Sequence, residues 1–427
     1  MLGKINYKLF LSCSVFLALA LYLSLNSYTI LAFESKFIDC ISGKCPEIII
    51  KDDDYSRFPN GNPANFRGFA DPTIRKDPDT KRLWMAYSWP HVNVYGDWNM
   101  RDIFSGRTKI LPAVESHLSY SDDGGINWQY YGKLWTPTPV KNSDGLISGH
   151  ITHETPNFLP VKTLTGTKWY AARLDYFVPE QGGYKTRSIK SFRIKVLQAD
   201  SPAALSKVGS VSLAASYSDK GFDYRLTDLS PELSHCHAWN EHALYYENGN
   251  LYLGLSCMSF KGKIPDMPNN NLVVFATKPT GNIKNWKWSY KGKLSGFSES
   301  QELGGERLTQ IDFAKSRDGI LLAIVSPDKW NNDINDFVHM GCSAVEIESL
   351  EKPAFARNTD GSLKTRARIV SSDAGEHGTA ACTYDPASAT GIILVKRDKQ
   401  GIGMAGVNKG GKRANMSVSM HKTGLHP

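Results

Sequence analysis

Trp128-Gln-Tyr-Tyr-Gly-Lys-Leu134 recurs as Trp288-Ser-Tyr-Lys-Gly-Lys-Leu294. The copies lie about 160 residues apart, or two units of about 80, and a unit of that length suits a four-stranded sheet with its loops. A second series marks the units themselves. Each member opens on a polar or charged residue, enters a short apolar strand, turns, and enters another apolar strand. The members begin at Asp71, Glu154, Glu241, Asp312 and His377. Five such units fill residues 65–400, and the expected fold is all-β: a five-bladed β-propeller.

The rest of the chain agrees with that reading. Leu83–Ser88, Trp169–Leu174, Leu251–Ser256, Gly319–Val325 and Gly391–Val395 are β-rich runs bounded by turn residues. No sustained apolar pattern of helical period competes with them. An all-β domain this large must deal with its sheet edges, and radial repetition does so.

Residues 1–33 stand apart. Lys4 and Lys8 precede an apolar stretch from Leu9 to Phe33, the pattern that export machinery reads. Export is expected, as a signal peptide or as an anchor; its second half is polar for a span. Residues 34–64 form a lead-in. Beyond Cys13 six cysteines remain, an even number that suggests disulfides outside the cytoplasm. Cys40–Cys45, Cys236–Cys257 and Cys342–Cys382 are the economical pairs among fifteen possible connectivities.

The formal net charge is +8, part of it in a basic tail over 401–427 and just before it, where Lys396, Arg397, Lys399, Lys409, Lys412, Arg413 and Lys422 meet few acids. No basic patch is interleaved with aromatics, which excludes a nucleic-acid partner. Membrane contact is expected only through the N-terminal segment.

Ser121-Asp-Asp123-Gly-Gly125-Ile-Asn-Trp128 fits Ser-x-Asp-x-Gly-x-x-Trp. Serine and aspartate oxygens can satisfy turn amides, glycine takes positive φ, and tryptophan packs beneath. The stretch resembles the Asp-box hairpin of sialidases and other propellers. Tyr217–Tyr224 resembles a degenerate copy.

In a propeller the innermost strands converge on a central funnel, so Asp71, Glu154 and Glu241 are expected to meet there. Clustered carboxylates raise one another's pKa, which separates a protonated acid from an ionised base. Gly68-Phe-Ala-Asp71-Pro-Thr-Ile followed by Leu83-Trp-Met-Ala-Tyr-Ser88 resembles the opening blade of family 43 glycoside hydrolases. The resemblance implies a carbohydrate substrate, Asp71 as general base, Glu154 in the place of the residue that tunes the acid, Glu241 as general acid, and inversion at the reacting carbon. That family usually has Asp where Glu154 stands.

Arg67, Trp89, Trp98, Arg173, Trp239, His242 and Asp312 are the candidate substrate-binding residues, from their aromatic, cationic or polar character near proposed funnel segments. The chemistry requires no cofactor. Gly375-Glu-His377-Gly-Thr resembles the family's last-blade segment and implies His377 beside a structural Ca2+ on the propeller axis. A zinc site from His235, His237 and His242 is disfavoured, because Cys236 is expected in a disulfide. Two further readings stay open. One is a sialidase, with Arg67, Arg173 and Arg307 on a substrate carboxylate and Tyr384 paired with Glu241. The other is a non-catalytic glycan-binding propeller.

Overall fold

The computed structural model describes residues 36–38, 40, 45–95, 109–179, 191–215, 222–262, 264–332, 336–370, 378–400 and 415–427. Residues 1–33, Trp98, His377 and most of the degenerate hairpin copy lie outside them.

Five sheets follow one another along the chain as the blades of a propeller. From the inside outward, blade 1 is Ala70–Lys76, Leu83–Tyr95, Lys109–Ser121 and Trp128–Trp135. Blade 2 is Ile147–Thr163, Gly166–Pro179, Arg193–Ala199 and Ser210–Ala214. Blade 3 is Ala238–Glu247, Asn250–Met258, Asn271–Thr277 and Ser289–Ser295. Blade 4 is Arg307–Lys315, Leu321–Asn331, Gly341–Ser349 and Thr365–Val370. Blade 5 is Gly378–Thr383, Ile393–Gln400 and Asn415–Lys422, completed by Phe66–Gly68 from before blade 1.

That last pairing closes the ring, and it needs a glycine. Met416, Ser417 and Val418 pair with Phe66, Arg67 and Gly68. Gly68 has φ of 121°, and a Cβ there would lie 1.9 Å from the Val418 carbonyl oxygen. The propeller therefore does not stop at residue 400. Residues 415–422 of the expected tail are a strand, with Val418 and Met420 in the core. The lead-in covers edges: Ile50–Lys51 pairs with the outer strand of blade 1, and Lys36–Ile38 with that of blade 4.

The five apolar runs of the sequence all map onto second strands, Gly319–Val325 and Gly391–Val395 each starting two residues before its strand. Leu251 to Met258 is buried at every position, because neighbouring blades pack on both faces of a blade. Gly254 of blade 3 shows how closely: a Cβ there would stand 2.8 Å from the Phe313 ring of blade 4. Trp128 and Trp288 stand beside the outer strands of blades 1 and 3, two units apart as their repeat implies. The Ser121–Trp128 turn is built as its residues suggest. Ser121 Oγ accepts from the Gly125 amide at 2.8 Å, and Asp123 Oδ1 from the amides of Ile126 and Asn127 at 3.1 and 3.0 Å. Sulfur pairs join Cys40–Cys45, Cys236–Cys257 and Cys342–Cys382.

The inner strands repeat one feature that the sequence series only approximates. Each carries a β-bulge with one non-glycine residue in the left-handed region: Asp71, Thr155, Glu241, Gln310 and Ala381, with φ of 46°, 54°, 44°, 50° and 50°. Bulges re-aim side chains, and here they do so around a ring. The structurally equivalent positions therefore differ from the expected unit starts in three blades. Glu154 precedes its bulge residue by one, Asp312 follows its own by two, and Gly378–Thr383 places the fifth at Ala381.

Two residues past the bulges of blades 1, 2, 4 and 5 lie Thr73, Asn157, Asp312 and Thr383, which form a buried polar layer. Asn157 donates to Asp312 Oδ1 at 3.3 Å and to Thr73 Oγ1 at 3.2 Å, and its oxygen accepts from the Leu244 amide at 3.0 Å. Thr383 Oγ1 donates to Asp312 Oδ2 at 2.7 Å. The Arg75 guanidinium pairs with Asp312 and donates to the carbonyl of Phe313 at 2.9 Å. All five blades are tied by this axle.

Candidate active site

Above the axle, the bulges leave a cavity of about 140 Å³ lined from all five blades, with Asp71, Glu154, Asn240, Glu241, Arg307, Thr309, Gln310, His339 and Arg397 supplying its polar groups. The three carboxylates expected together are together. Asp71 and Glu241 reach it because the left-handed bulge turns them off the strand line. Glu154 reaches it from the position just before its bulge.

Burial and the neighbouring Glu154 carboxylate push Asp71 up to about 7, against a hydrogen bond from Ser88 and the field of Arg397. Ser88 lies across the strand pair from Ala70, and its Oγ accepts from the Thr155 amide at 2.8 Å. Burial, then Asp71 and Glu154, push Glu241 well above the usual carboxylate range, with Arg307 opposing. The cluster thus favours the protonated form of Glu241, while Asp71 titrates near neutral pH.

Arg307 and Arg397 belong to the opposite wall. Arg307 donates through Nη2 and Nε to Asp328 Oδ2 at 2.9 and 3.3 Å, and its guanidinium carbon stands 3.4 Å from the Phe337 ring centroid. His339 Nδ1 is 2.6 Å from the other Asp328 oxygen. Arg397 donates to the Phe337 carbonyl at 3.1 Å. Burial raises Asp328, but His339 and Arg307 more than offset it and hold the carboxyl below the usual range. Arg397 was expected among the solvated charges of the tail. Its place on the second strand of the last blade brings it inward, a position that only strand pairing reveals.

Solved structures share the blade arrangement at low identity. A Cellvibrio cellulosa alpha-L-arabinanase complexed with arabinohexaose overlays at 13% identity and a TM-score of 0.38, over 82% of this chain and 90% of that one. A Bacillus subtilis arabinanase overlays at 12% and 0.36, over 82% and 92%. A Dyadobacter fermentans protein of unknown function does so at 10% and 0.41, over 89% and 99%. Overlays this loose say nothing of activity, and the architecture rests on strand order. No protein-family model and no curated protein sequence matches the chain.

Most of the residues expected to bind substrate lie elsewhere. Asp312 is buried in the axle, its carboxylate taken by Arg75, Asn157 and Thr383. Trp239 is 1% exposed and packs edge-on against Phe275, because strand alternation turns it away from its neighbour Asn240. Trp89 stacks on His117 at 4.8 Å and donates to the Asp54 carbonyl at 3.0 Å. Arg173 pairs with Asp175 at 2.8 Å and lies over Trp135. Arg67 donates to the Ala64 carbonyl at 2.7 Å and points away from the cavity that its neighbour Phe66 lines. His242 lies beneath the cavity, in a cleft of about 30 Å³ with Asp71, Glu241 and Asp312, and burial lowers it to about 4.

The sialidase arrangement is not assembled. Of Arg67, Arg173 and Arg307, only Arg307 lines the cavity. Tyr384 is fully buried among blades 4 and 5, its hydroxyl 3.4 Å from His426. The histidines at 235, 237 and 242 do not gather either. Among the described residues the one metal-like grouping is His235 with Cys236 and Cys257, and those two cysteines are bonded to each other. On the axis below the bulges, the Arg75 guanidinium already takes the carbonyls of Ile74 and Phe313 and the Asp312 carboxylate. A calcium ion does not fit that layer beside a fixed positive charge.

Proposed function

We propose that the protein is an exported glycoside hydrolase, with Glu241 as general acid and Asp71 as general base. The observation that carries the reading is the gathering of three carboxylates, Asp71, Glu154 and Glu241, in one small buried cavity. Burial and its neighbours push Glu241 well above the usual carboxylate range, which favours an acid, while Asp71, raised to about 7, can serve as the base. In the reaction, the Asp71 carboxylate takes a proton from a water molecule as its oxygen bonds to the anomeric carbon. The bond from that carbon to the leaving oxygen breaks, and Glu241 gives that oxygen its proton. Glu154 acts through the other two: its charge raises both, keeping the acid charged with a proton and the base strong.

The resemblance to family 43 implies inversion, which the anomer of the first-formed sugar, read by NMR, decides. Three disulfides support a location outside the reducing cytoplasm. The test is hydrolysis of an aryl-glycoside panel spanning pentosides, hexosides and a sialoside by the full chain, with Asp71→Asn and Glu241→Gln alongside. Turnover that both variants lose supports the reading. Glycan binding without turnover in any of the three sinks it in favour of a binding propeller.

A further inference from the structure

The wall facing the carboxylates carries three buried donor atoms that have no hydrogen-bond partner among the described residues. Arg307 is 4% exposed, and its Nη1 has no hydrogen-bond partner among the described residues. The same holds for Arg397 Nε and for the hydroxyl of Thr309, which is 1% exposed. All three residues line the cavity. A buried donor left without a partner is costly, so two guanidinium nitrogens and a hydroxyl in one wall call for an acceptor.

The site's own carboxylates do not supply it. Arg307 lowers Glu241 and Arg397 lowers Asp71 through space, yet neither pair closes to an ion pair among the described residues. The gap between the two walls is the cavity. Asp328 and Phe337 meanwhile fix the donors: Asp328 holds two nitrogens of Arg307, the Phe337 ring lies under its guanidinium, and the Phe337 carbonyl holds Arg397. The nitrogens left over are therefore oriented.

We infer that this wall is an anion subsite and that the sugar taken at the reacting position carries a carboxylate, as a uronic acid does. The inference rests on the hydrolase reading above and names its substrate class. Two guanidinium nitrogens and a hydroxyl suit an acceptor-only, charged group better than a neutral hydroxyl, which brings a proton of its own. The anion sits opposite Asp71 and Glu241, so recognition and proton transfer use different blades. A sulfate ester offers the same chemistry, and the test separates the two.

The experiment measures binding and turnover independently on the purified full chain. Binding of D-glucuronate, D-galacturonate, glucose 6-sulfate, glucose and galactose is followed by calorimetry in wild type, Asp71→Asn, Arg397→Met and Arg307→Lys. Turnover is followed on matched aryl uronides and neutral hexosides. We expect a uronate to bind at least about 10-fold more tightly than its neutral sugar, the preference to survive in Asp71→Asn, and Arg397→Met to erase it. Arg307→Lys keeps the charge beside Asp328 but loses the fork, and is expected to weaken uronate binding with the fold intact by circular dichroism. Uronate binding without turnover keeps the subsite and removes the hydrolase. Turnover of neutral hexosides with no preference for uronides, or a preference unmoved by both arginine variants, overturns the subsite and keeps the hydrolase. Preference for the sulfated sugar alone overturns the carboxylate assignment.

Discussion

Asp71 and Glu241 hold the same backbone position on blades 1 and 3, the left-handed residue of the inner-strand bulge, with φ of 46° and 44°. Left-handed conformation costs a non-glycine residue about 1–2 kcal/mol. Here it turns both carboxyl groups into one cavity, where burial and Glu154 raise both and Asp71 raises Glu241 further. Position and protonation state thus have one structural cause.

The pH dependence follows from that cause. The kcat/KM of the wild type is expected to rise through pH about 7 as Asp71 ionises, and to fall at higher pH as Glu241 loses its proton. Glu154→Gln removes a negative charge that raises both groups, so both limbs move to lower pH. A profile that keeps its shape and position in Glu154→Gln denies that residue a tuning role.

The same groups weaken the fold at neutral pH. The folded pKa of Asp71, about 7, lies above its ordinary 3.8, so the unfolded chain releases that proton first. Stability therefore falls as pH rises from about 4 to about 7. Asp71→Asn and Glu241→Gln, while losing activity, are expected to gain about 0.5–2 kcal/mol at pH 7, a gain that disappears towards pH 4. Urea unfolding across that range checks the sign.

The axle predicts the opposite. Asp312→Ala leaves the Arg75 guanidinium buried without its carboxylate and unhooks Asn157 and Thr383. A loss of about 3–5 kcal/mol in chemical denaturation is expected. An activity defect with unchanged stability returns Asp312 to the list of substrate-binding residues.

Cys342 and Cys382 join the third strand of blade 4 to the inner strand of blade 5, across 40 residues of chain. Replacing both by serine is expected to cost about 2–4 kcal/mol, read as a lower unfolding midpoint than wild type under oxidising conditions. Equal midpoints show that the blade contact does not depend on the bond.

How far the sequence could be read depended on what each residue packs against. Runs such as Leu251–Ser256 are legible because a second strand is covered on both faces, and Ser121–Trp128 because its turn is closed by its own side chains. Asp71, Glu154 and Glu241 were legible as carboxylates at the head of apolar runs, although Glu154 and Glu241 sit inside longer strands, Ile147–Thr163 and Ala238–Glu247. Arg397 and the pairing of Asp312 with Arg75 were not, since both depend on which side chains meet across the ring. Trp239 misled for a related reason: one residue from Asn240, it faces the core because strand neighbours alternate.

The most direct test of the central claim varies the leaving group. With a substrate class in hand, kcat/KM is measured for wild type, Glu241→Gln and Asp71→Asn on aryl glycosides whose phenols span a wide range of acidity. Activated phenols leave without a proton, so Glu241→Gln is expected to lose little on them and progressively more, beyond about 10²-fold, on poor leaving groups. Asp71→Asn is expected to lose activity evenly across the series. An even loss in Glu241→Gln contradicts its role as the acid.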